Sequence, residues 1–338
     1  MILKHDGSVW STATTSTDNP VESRRAGKYF VQVIESGAIA AAAGNGFSMV
    51  LKRDDSMWGR GRNFRGQLGD GTKMKKVSFV FVRTIPGAKS VAAGGYHSIV
   101  LTRQGQIWAT GWNKYGQLGG RFTVYTTQFR SVISTGSLPV AVAAGYTHSM
   151  LLKQDGSVWG AGRNYNGQLG DGSKADRSSF VKVMSDGAVD IVAGSHHSMV
   201  LKQDGSVWAT GWNEYGQLGD ESIVDRNTYV QVVSSGGKSL AAGDRHSIVL
   251  KQDGSVWATG YSVYGQLGDN LPSNSQIFLK VIPDGAIAVA AGDSHSMVVK
   301  QDGSIWATGS NKHGQYGDGS RASQKNFVKV SSSINGAK

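Results

Sequence analysis

Ser198-Met199-Val200-Leu201-Lys202, Gln203-Asp204-Gly205 and Ser206-Val207-Trp208-Ala209-Thr210 read as strand, turn, strand. An Asp-Gly pair between two runs rich in β-branched and apolar residues is a strong short-range signal for a hairpin. Two further β-rich runs, Phe180-Val181-Lys182-Val183 and Val189-Asp190-Ile191-Val192-Ala193, complete a period of about four strands in about 49 residues. No stretch longer than a few residues shows a 3.6-residue apolar period, and Gly interrupts every candidate helix. The chain is expected to be all-β.

The hairpin recurs. Its tryptophan stands at Trp10, Trp58, Trp108, Trp159, Trp208, Trp257 and Trp306, with successive spacings between 48 and 51 residues. Asp-Gly-Ser-Val-Trp is intact at Asp6, Asp155, Asp204 and Asp253, nearly so at Asp302, and degenerate before Trp58 and Trp108. A second string, Gly66-Gln67-Leu68-Gly69, returns from Gly116, Gly167, Gly216 and Gly265, and as Gly314-Gln315-Tyr316-Gly317; the first period has lost it across Ser11–Arg25. A third, Gly-x-x-His-Ser, begins at Gly94, Gly145, Gly194, Gly243 and Gly292, with Phe47 replacing the histidine in the Gly44–Ser48 copy. A four-stranded unit cannot bury both faces alone, so seven of them must stack. A ring is favoured over a line, because closure protects the sheet edges and neither end looks like a cap. Met1-Ile2-Leu3-Lys4 aligns with Met199–Lys202, and Gly336-Ala337-Lys338 with Gly87-Ala88-Lys89. One seven-bladed β-propeller domain spanning 1–338 is therefore expected, with both termini in the same blade and that blade one strand short. The missing segment suggests that the chain is part of something longer or of an assembly.

Composition narrows the function. The 338 residues include 47 Gly, 5 Pro and no Cys, and 35 basic against 24 acidic side chains leave a net charge of +11. Without Cys there is no disulfide framework, thiolate metal site or cysteine nucleophile. The longest apolar runs, such as Ala38–Ala43, fall far short of the roughly 18 residues of a membrane span, and Met1–Trp10 has no signal-peptide core. The chain reads as soluble and without a visible address. Abundant Gly without Pro points to many tight turns.

Gly-x-x-His-Ser, Leu-Lys-x-Asp-Gly-x-Val-Trp and Asn-x-x-Gly-Gln-Leu-Gly, recurring together over essentially the whole chain, resemble the regulator of chromosome condensation repeat family. The resemblance implies a seven-bladed propeller whose blades are out of phase with the sequence repeat. Its members include a Ran nucleotide exchange factor, a plant ultraviolet-B photoreceptor, ubiquitin-ligase modules, ciliary scaffolds and a β-lactamase inhibitor, so fold does not fix function. The exchange factor acts through a β-wedge that lengthens one blade, and the near-constant spacing leaves no room for one. The photoreceptor uses tryptophans just after the glycine of Gly-x-x-His; here those places hold Asn45, Gly95, Tyr146, Ser195, Asp244 and Asp293.

The seven repeat tryptophans are expected to be core, each burying on the order of 200 Å². His97, His148, His197, His246 and His295 recur one per blade, which spreads them around the ring. The expected role is structural, each imidazole bonding a neighbouring backbone turn and holding blade to blade. Gly-Asp-Gly-Ser/Thr at Gly69–Thr72, Gly170–Ser173 and Gly317–Ser320 lacks the oxygen series and following helix of a calcium loop and reads as a turn. No nucleophile elbow, Walker motif or dinucleotide fingerprint is present, so no catalytic residue, metal or cofactor is expected.

The expected function is a non-enzymatic protein-interaction scaffold, binding through the Gly-x-x-His face and the divergent loops of the first three periods. Tyr96, Trp112, Tyr146, Trp212 and Arg245 are its expected exposed anchors, with Asp244 and Asp293 beside them. Arg24, Arg25, Arg60, Arg62, Arg65, Lys73, Lys75 and Lys76, with Lys28, are expected to form a basic rim that attracts acidic partners. Two alternatives stand beside this reading: nucleotide exchange on a small GTPase, and association with chromatin or nucleic acid. The second is weakened because only Phe64 interleaves with the charge.

Overall fold

The computed structural model describes residues 1–12, 29–120, 122–132, 136–271 and 273–331. They form 27 strands and no helix, and none of the described residues makes a helix long and apolar enough to cross a membrane. The first sheet contains β1 (Ile2–Leu3), β2 (Val9–Ser11) and β3 (Val31–Ile34). Each of the other six has four antiparallel strands in chain order, the second being β4 (Ala38–Gly44), β5 (Phe47–Lys52), β6 (Ser56–Gly61) and β7 (Lys76–Thr84). The hairpin quoted above is β17 (His197–Lys202) and β18 (Val207–Gly211), with Val200 opposite Trp208 and Ser198 opposite Thr210.

The Asp-Gly turn is not a two-residue loop. Gly205 N–H donates to Lys202 O at 3.0 Å and Lys202 N–H to Ser206 O at 2.9 Å, leaving Gln203, Asp204 and Gly205 in the connection. Gly205 has φ +79°, the left-handed position that follows a type I turn in such hairpins. Its carbonyl accepts from Gly237 N–H at 2.8 Å, and an added Cβ would lie 2.8 Å from Gly236 N. The turn therefore also anchors the entry strand of the next blade, and glycine is required for both its angle and its lack of bulk.

The core lies between blades. Met199, Leu201, Val207, Ala209 and Leu218 of the fifth pack on Leu240, Val249 and Phe278 of the sixth, and the pattern repeats around the molecule. Within the repeated hairpin the deeply buried residue is the one before the tryptophan: Val158, Val207 and Val256 have no exposed surface. The seven tryptophans themselves are half-buried, and Trp58, Trp108, Trp159, Trp257 and Trp306 pack against the margins of the buried clusters. Strand alternation turns Trp257 away from Val256, so that it plugs the edge of the preceding blade's cluster. Six of the seven donate their indole N–H to the serine two residues back, as Trp208 does to Ser206 at 3.0 Å, and carry a lysine over the ring, as Lys202 does at 4.9 Å. Trp108 follows Gln106 instead of serine and carries Arg83 at 5.0 Å.

The ring closes. In successive blades the last glycine of Gly-Gln-Leu-Gly seats against an aromatic ring of the next blade's outer strand: Gly69 on Phe129, Gly119 on Phe180, Gly170 on Tyr229, Gly219 on Phe278 and Gly268 on Phe327. Gly317 of the seventh blade seats in the same way on Phe30 of the first. Backbone bridges repeat the message, with Tyr29–Asp318 matching Asp70–Gln128, Asp171–Thr228 and Asp269–Asn326. The molecule is a seven-bladed β-propeller, as expected. The first sheet has three strands among the described residues; the C-terminal end of the chain, Gly336-Ala337-Lys338, expected in this same blade, lies outside them.

Candidate partner-binding face

In each of the third to seventh blades two connections emerge on one face. One is the Gly-x-x-His loop between the first and second strands, and the other carries Gly-Gln-Leu-Gly between the third and fourth. The Gly-x-x-His loops ring the central channel and are stitched from blade to blade, Asn45 N–H to Gly94 O at 3.3 Å, Gly95 to Gly145 at 3.2 Å, Tyr146 to Ser195 at 3.2 Å and Ser195 to Gly243 at 3.2 Å. The channel encloses 680 Å³ between walls that include Ala41, Ala93, Ala144, Ala193 and Ala242.

The histidines support this ring from below. His97 Nε2 lies 2.8 Å from Ser149 Oγ in the next blade, and His148–Ser198, His197–Ser247 and His246–Ser296 repeat the pair at 2.9–3.0 Å. The expected partner was a backbone turn; the observed one is a hydroxyl. Each serine donates its own proton to the glutamine carbonyl of the preceding blade, Ser149 to Gln117 O at 2.6 Å. The serine oxygen must then accept, which assigns the Nε2–H tautomer to the imidazole. Burial lowers the pKa of His97 and His197 to about 4 and of His246 to about 3, so the rings are neutral. His295 is lowered to about 4 by the same cause. The Gly-Asp-Gly loops are pinned internally, Asp70 Oδ1 accepting from Thr72 N–H and Asn63 Nδ2 at 2.9 Å each.

Above the histidines the loops bring rings together from four blades. Trp112 meets Tyr96 at 5.6 Å between centroids, Tyr96 meets Tyr146 at 5.3 Å, Tyr146 meets His196 at 5.8 Å and His196 meets Trp212 at 5.9 Å. The arc continues through Tyr215 at 5.3 Å, Tyr261 at 4.9 Å and Tyr264 at 6.2 Å, while Tyr115 branches from Trp112 at 5.4 Å. Most contacts are edge-on, the arrangement favoured by the ring quadrupoles. Cations lie over the faces: Arg65 on Trp112 at 5.4 Å, Arg163 on Tyr115 at 5.1 Å, Arg245 on Tyr215 at 5.2 Å and Lys312 on Tyr264 at 5.0 Å.

The expected anchors Tyr96, Trp112, Tyr146, Trp212 and Arg245 all fall on this arc, half-buried rather than standing free. Tyr96 and Tyr146 share a hydroxyl hydrogen bond of 2.9 Å, and burial, followed by that bond, pushes the Tyr146 phenol up to about 12. Asp244 and Asp293 line the channel instead, Asp244 bonded to Arg245 Nε at 3.1 Å. Asp293 is exposed as a residue, yet the channel wall crowds its carboxyl; desolvation, and then the charge of Asp244, raises its pKa. Tyr115, Tyr215 and Tyr264 did not stand out in the sequence, although all three directly precede Gly-Gln-Leu-Gly and a register comparison reveals them.

The expected basic rim divides. Arg60 is 5% exposed and is not on any rim: its guanidinium donates to Ser11 Oγ at 2.8 Å and covers Phe79 at 5.0 Å. Lys76 is bound to Asp70 at 3.0 Å. Arg62, Arg65, Lys73 and Lys75 are exposed, with Arg62 bonded to Asn45 at 2.8 Å and Lys73 over Tyr125 at 3.6 Å. Arg24, Arg25 and Lys28 lie outside the described residues. Aromatics do interleave with this charge, since Trp112 and Tyr125 come from the adjacent blade.

The profile of the RCC1-like domain matches residues 1–278, and that of the regulator of chromosome condensation (RCC1) repeat matches residues 286–315. Among solved structures, human WBSCR16 is similar at 24% identity, with a TM-score of 0.83 over 96% of this chain and 93% of that one. Yeast RCC1 (Prp20), solved bound to Kap60, is 20% identical with a TM-score of 0.85, over 98% and 85% of the two chains. Prp20p from Saccharomyces cerevisiae, characterised for binding to Gsp1p and histones, is 21% identical with a TM-score of 0.80, over 98% and 87%. No curated protein matches. At these identities the structural likeness speaks to fold alone.

Proposed function

Because the chain belongs to the RCC1-like family, we propose that it is a non-enzymatic interaction platform that binds protein partners through the Gly-x-x-His face. The observation that carries this reading is the unbroken aromatic arc from Trp112 to Tyr264 with cations laid over its rings. Tyrosine, tryptophan and arginine, held rigidly and half-exposed, are the residues that dominate binding hot spots. Preorganisation lowers the ordering cost that association would otherwise carry. The exposed cations favour a partner with an acidic surface.

Nucleotide exchange on a small GTPase has less support, since every described strand belongs to a blade and none forms an added ribbon. Nucleic-acid association is favoured by the net charge and by the rings of Trp112 and Tyr125 beside Arg65 and Lys73, but no base-reading element accompanies them among the described residues. The platform reading is tested by affinity capture with the intact chain and with a variant carrying Tyr96→Ala, Trp112→Ala, Tyr146→Ala, Trp212→Ala and Arg245→Ala. Partners retained by the first and lost by the second support it, provided both melt alike; retention of all partners by the variant rejects it.

A further inference from the structure

The cations on this face are not equivalent. Arg245 is paired with Asp244 at 3.1 Å, Lys76 with Asp70 at 3.0 Å, and Arg62 with Asn45 at 2.8 Å. Elsewhere Arg177 and Arg226 are held by Asp171 and Asp220 at 2.6 Å each. Arg65 and Arg163 differ. Each guanidinium lies against an aromatic ring, Arg65 on Trp112 and Arg163 on Tyr115 and Tyr165, and among the described residues neither has a carboxylate or hydrogen-bond partner for its side-chain N–H groups. A stacked guanidinium has lost much of its rotamer freedom while its fork of donors stays open, the condition for bidentate carboxylate recognition.

We infer that Arg65 and Arg163 form a two-point clamp for an acidic linear peptide, an extended segment of a partner protein with two carboxylates no more than about five residues apart. The spacing follows from the rings between them. Arg65 to Trp112 is 5.4 Å, Trp112 to Tyr115 is 5.4 Å and Tyr115 to Arg163 is 5.1 Å. At roughly 3.3 Å per extended residue, that contour is an upper bound of about five residues. Trp112 and Tyr115 lie between the two guanidiniums, each with a cation over its face, and so fix their separation. A peptide suits this face better than a nucleic acid. Glu214, Asp244 and Asp293 occupy the loops of the fifth to seventh blades, where they oppose a uniformly anionic polymer. The cations over Trp112 and Tyr115 also cover ring faces on which bases would stack.

The inference rests on the platform reading and narrows it to a partner chemistry. The test uses the whole chain and fluorescein-labelled dodecapeptides with two glutamates separated by three or by eight residues around a central leucine, each with its glutamine counterpart, read by anisotropy. The closely spaced glutamate peptide is expected to bind at least about tenfold tighter than its glutamine form, and the widely spaced one less tightly, with binding weakened by salt. Arg65→Ala and Arg163→Ala are each expected to cost about fivefold or more, and Arg62→Ala and Lys75→Ala less than about twofold. Equal binding of glutamate and glutamine peptides, equal loss in all four variants, or tighter binding of a dodecamer of deoxythymidine would overturn the clamp. If the peptides give one of these overturning results while the capture experiment still yields partners that the fivefold variant loses, the clamp fails and the platform stands.

Discussion

Arg60, Arg62 and Arg65 look alike in sequence, and the structure gives them three fates. Arg60 stands two residues after Trp58, where other blades place Thr110, Thr210, Thr259 and Thr308. Those threonines donate to the first glycine of the preceding Gly-Gln-Leu-Gly turn, Thr210 to Gly167 O at 3.0 Å, for example. The first period has no such string to offer, and the longer arginine reaches Ser11 instead. Burial lowers its pKa, yet a guanidinium stays charged, so its hydrogen bond and its ring contact with Phe79 must offset lost hydration. Arg60→Ala is expected to destabilise by about 1–3 kcal/mol in urea unfolding, and exposed Arg62→Ala by less than about 0.5 kcal/mol. Equal midpoints for the two variants would show that the buried contact contributes nothing. Charge density along the chain suggested a rim at all three positions; the offset from tryptophan held the information that separates Arg60 from the others.

At the level of the element, strand order and hairpin register were legible because they depend on neighbours in sequence. Partners across blades were not, since His97 and Ser149 are 52 residues apart and nothing local distinguishes a hydroxyl from a backbone carbonyl as the acceptor. The histidine loops make folding sensitive to acid. Their folded pKa values, about 3 to 4 where a value is resolved, lie below the ordinary 6.5, so between these limits the unfolded chain binds more protons. Stability is therefore complete above about pH 6.5, falls as pH drops toward 4, and gains no further loss from these groups below their folded values. A shift of this size corresponds to an order of magnitude of 3 kcal/mol per buried ring. Phe47 already occupies the histidine position of the second blade, fully packed at 3% exposure, so the site accepts an aromatic ring that does not titrate. His197→Phe is expected to keep the fold and flatten the dependence of the urea midpoint on pH between 7 and 4.5; an unchanged slope would mean that this imidazole is not neutral in the folded protein.

For the whole molecule, the period of about 49 residues specified seven units, while the arc of rings on the binding face follows only from closing them into a circle. Tyr115 touches Trp112 within one blade, but Tyr96–Tyr146, Tyr146–His196 and Tyr215–Tyr261 each cross a blade boundary, which no linear reading displays. The circle has a mechanical consequence at its seam. Gly317 rests on Phe30 as Gly69 rests on Phe129, although the first pair joins the two ends of the described chain and the second joins consecutive blades. In a closed ring every interface limits the opening of all the others, so the seam must contribute to global stability as an internal interface does. Phe30→Ala and Phe129→Ala are both expected to lower the midpoint of a single cooperative transition, by an amount on the order of 2–4 kcal/mol, with the fully buried Phe129 costing more. In an open stack, Phe30→Ala would instead leave the main transition in place and add at most a small, early loss of the first blade. Circular dichroism of the two variants through the melt separates these cases.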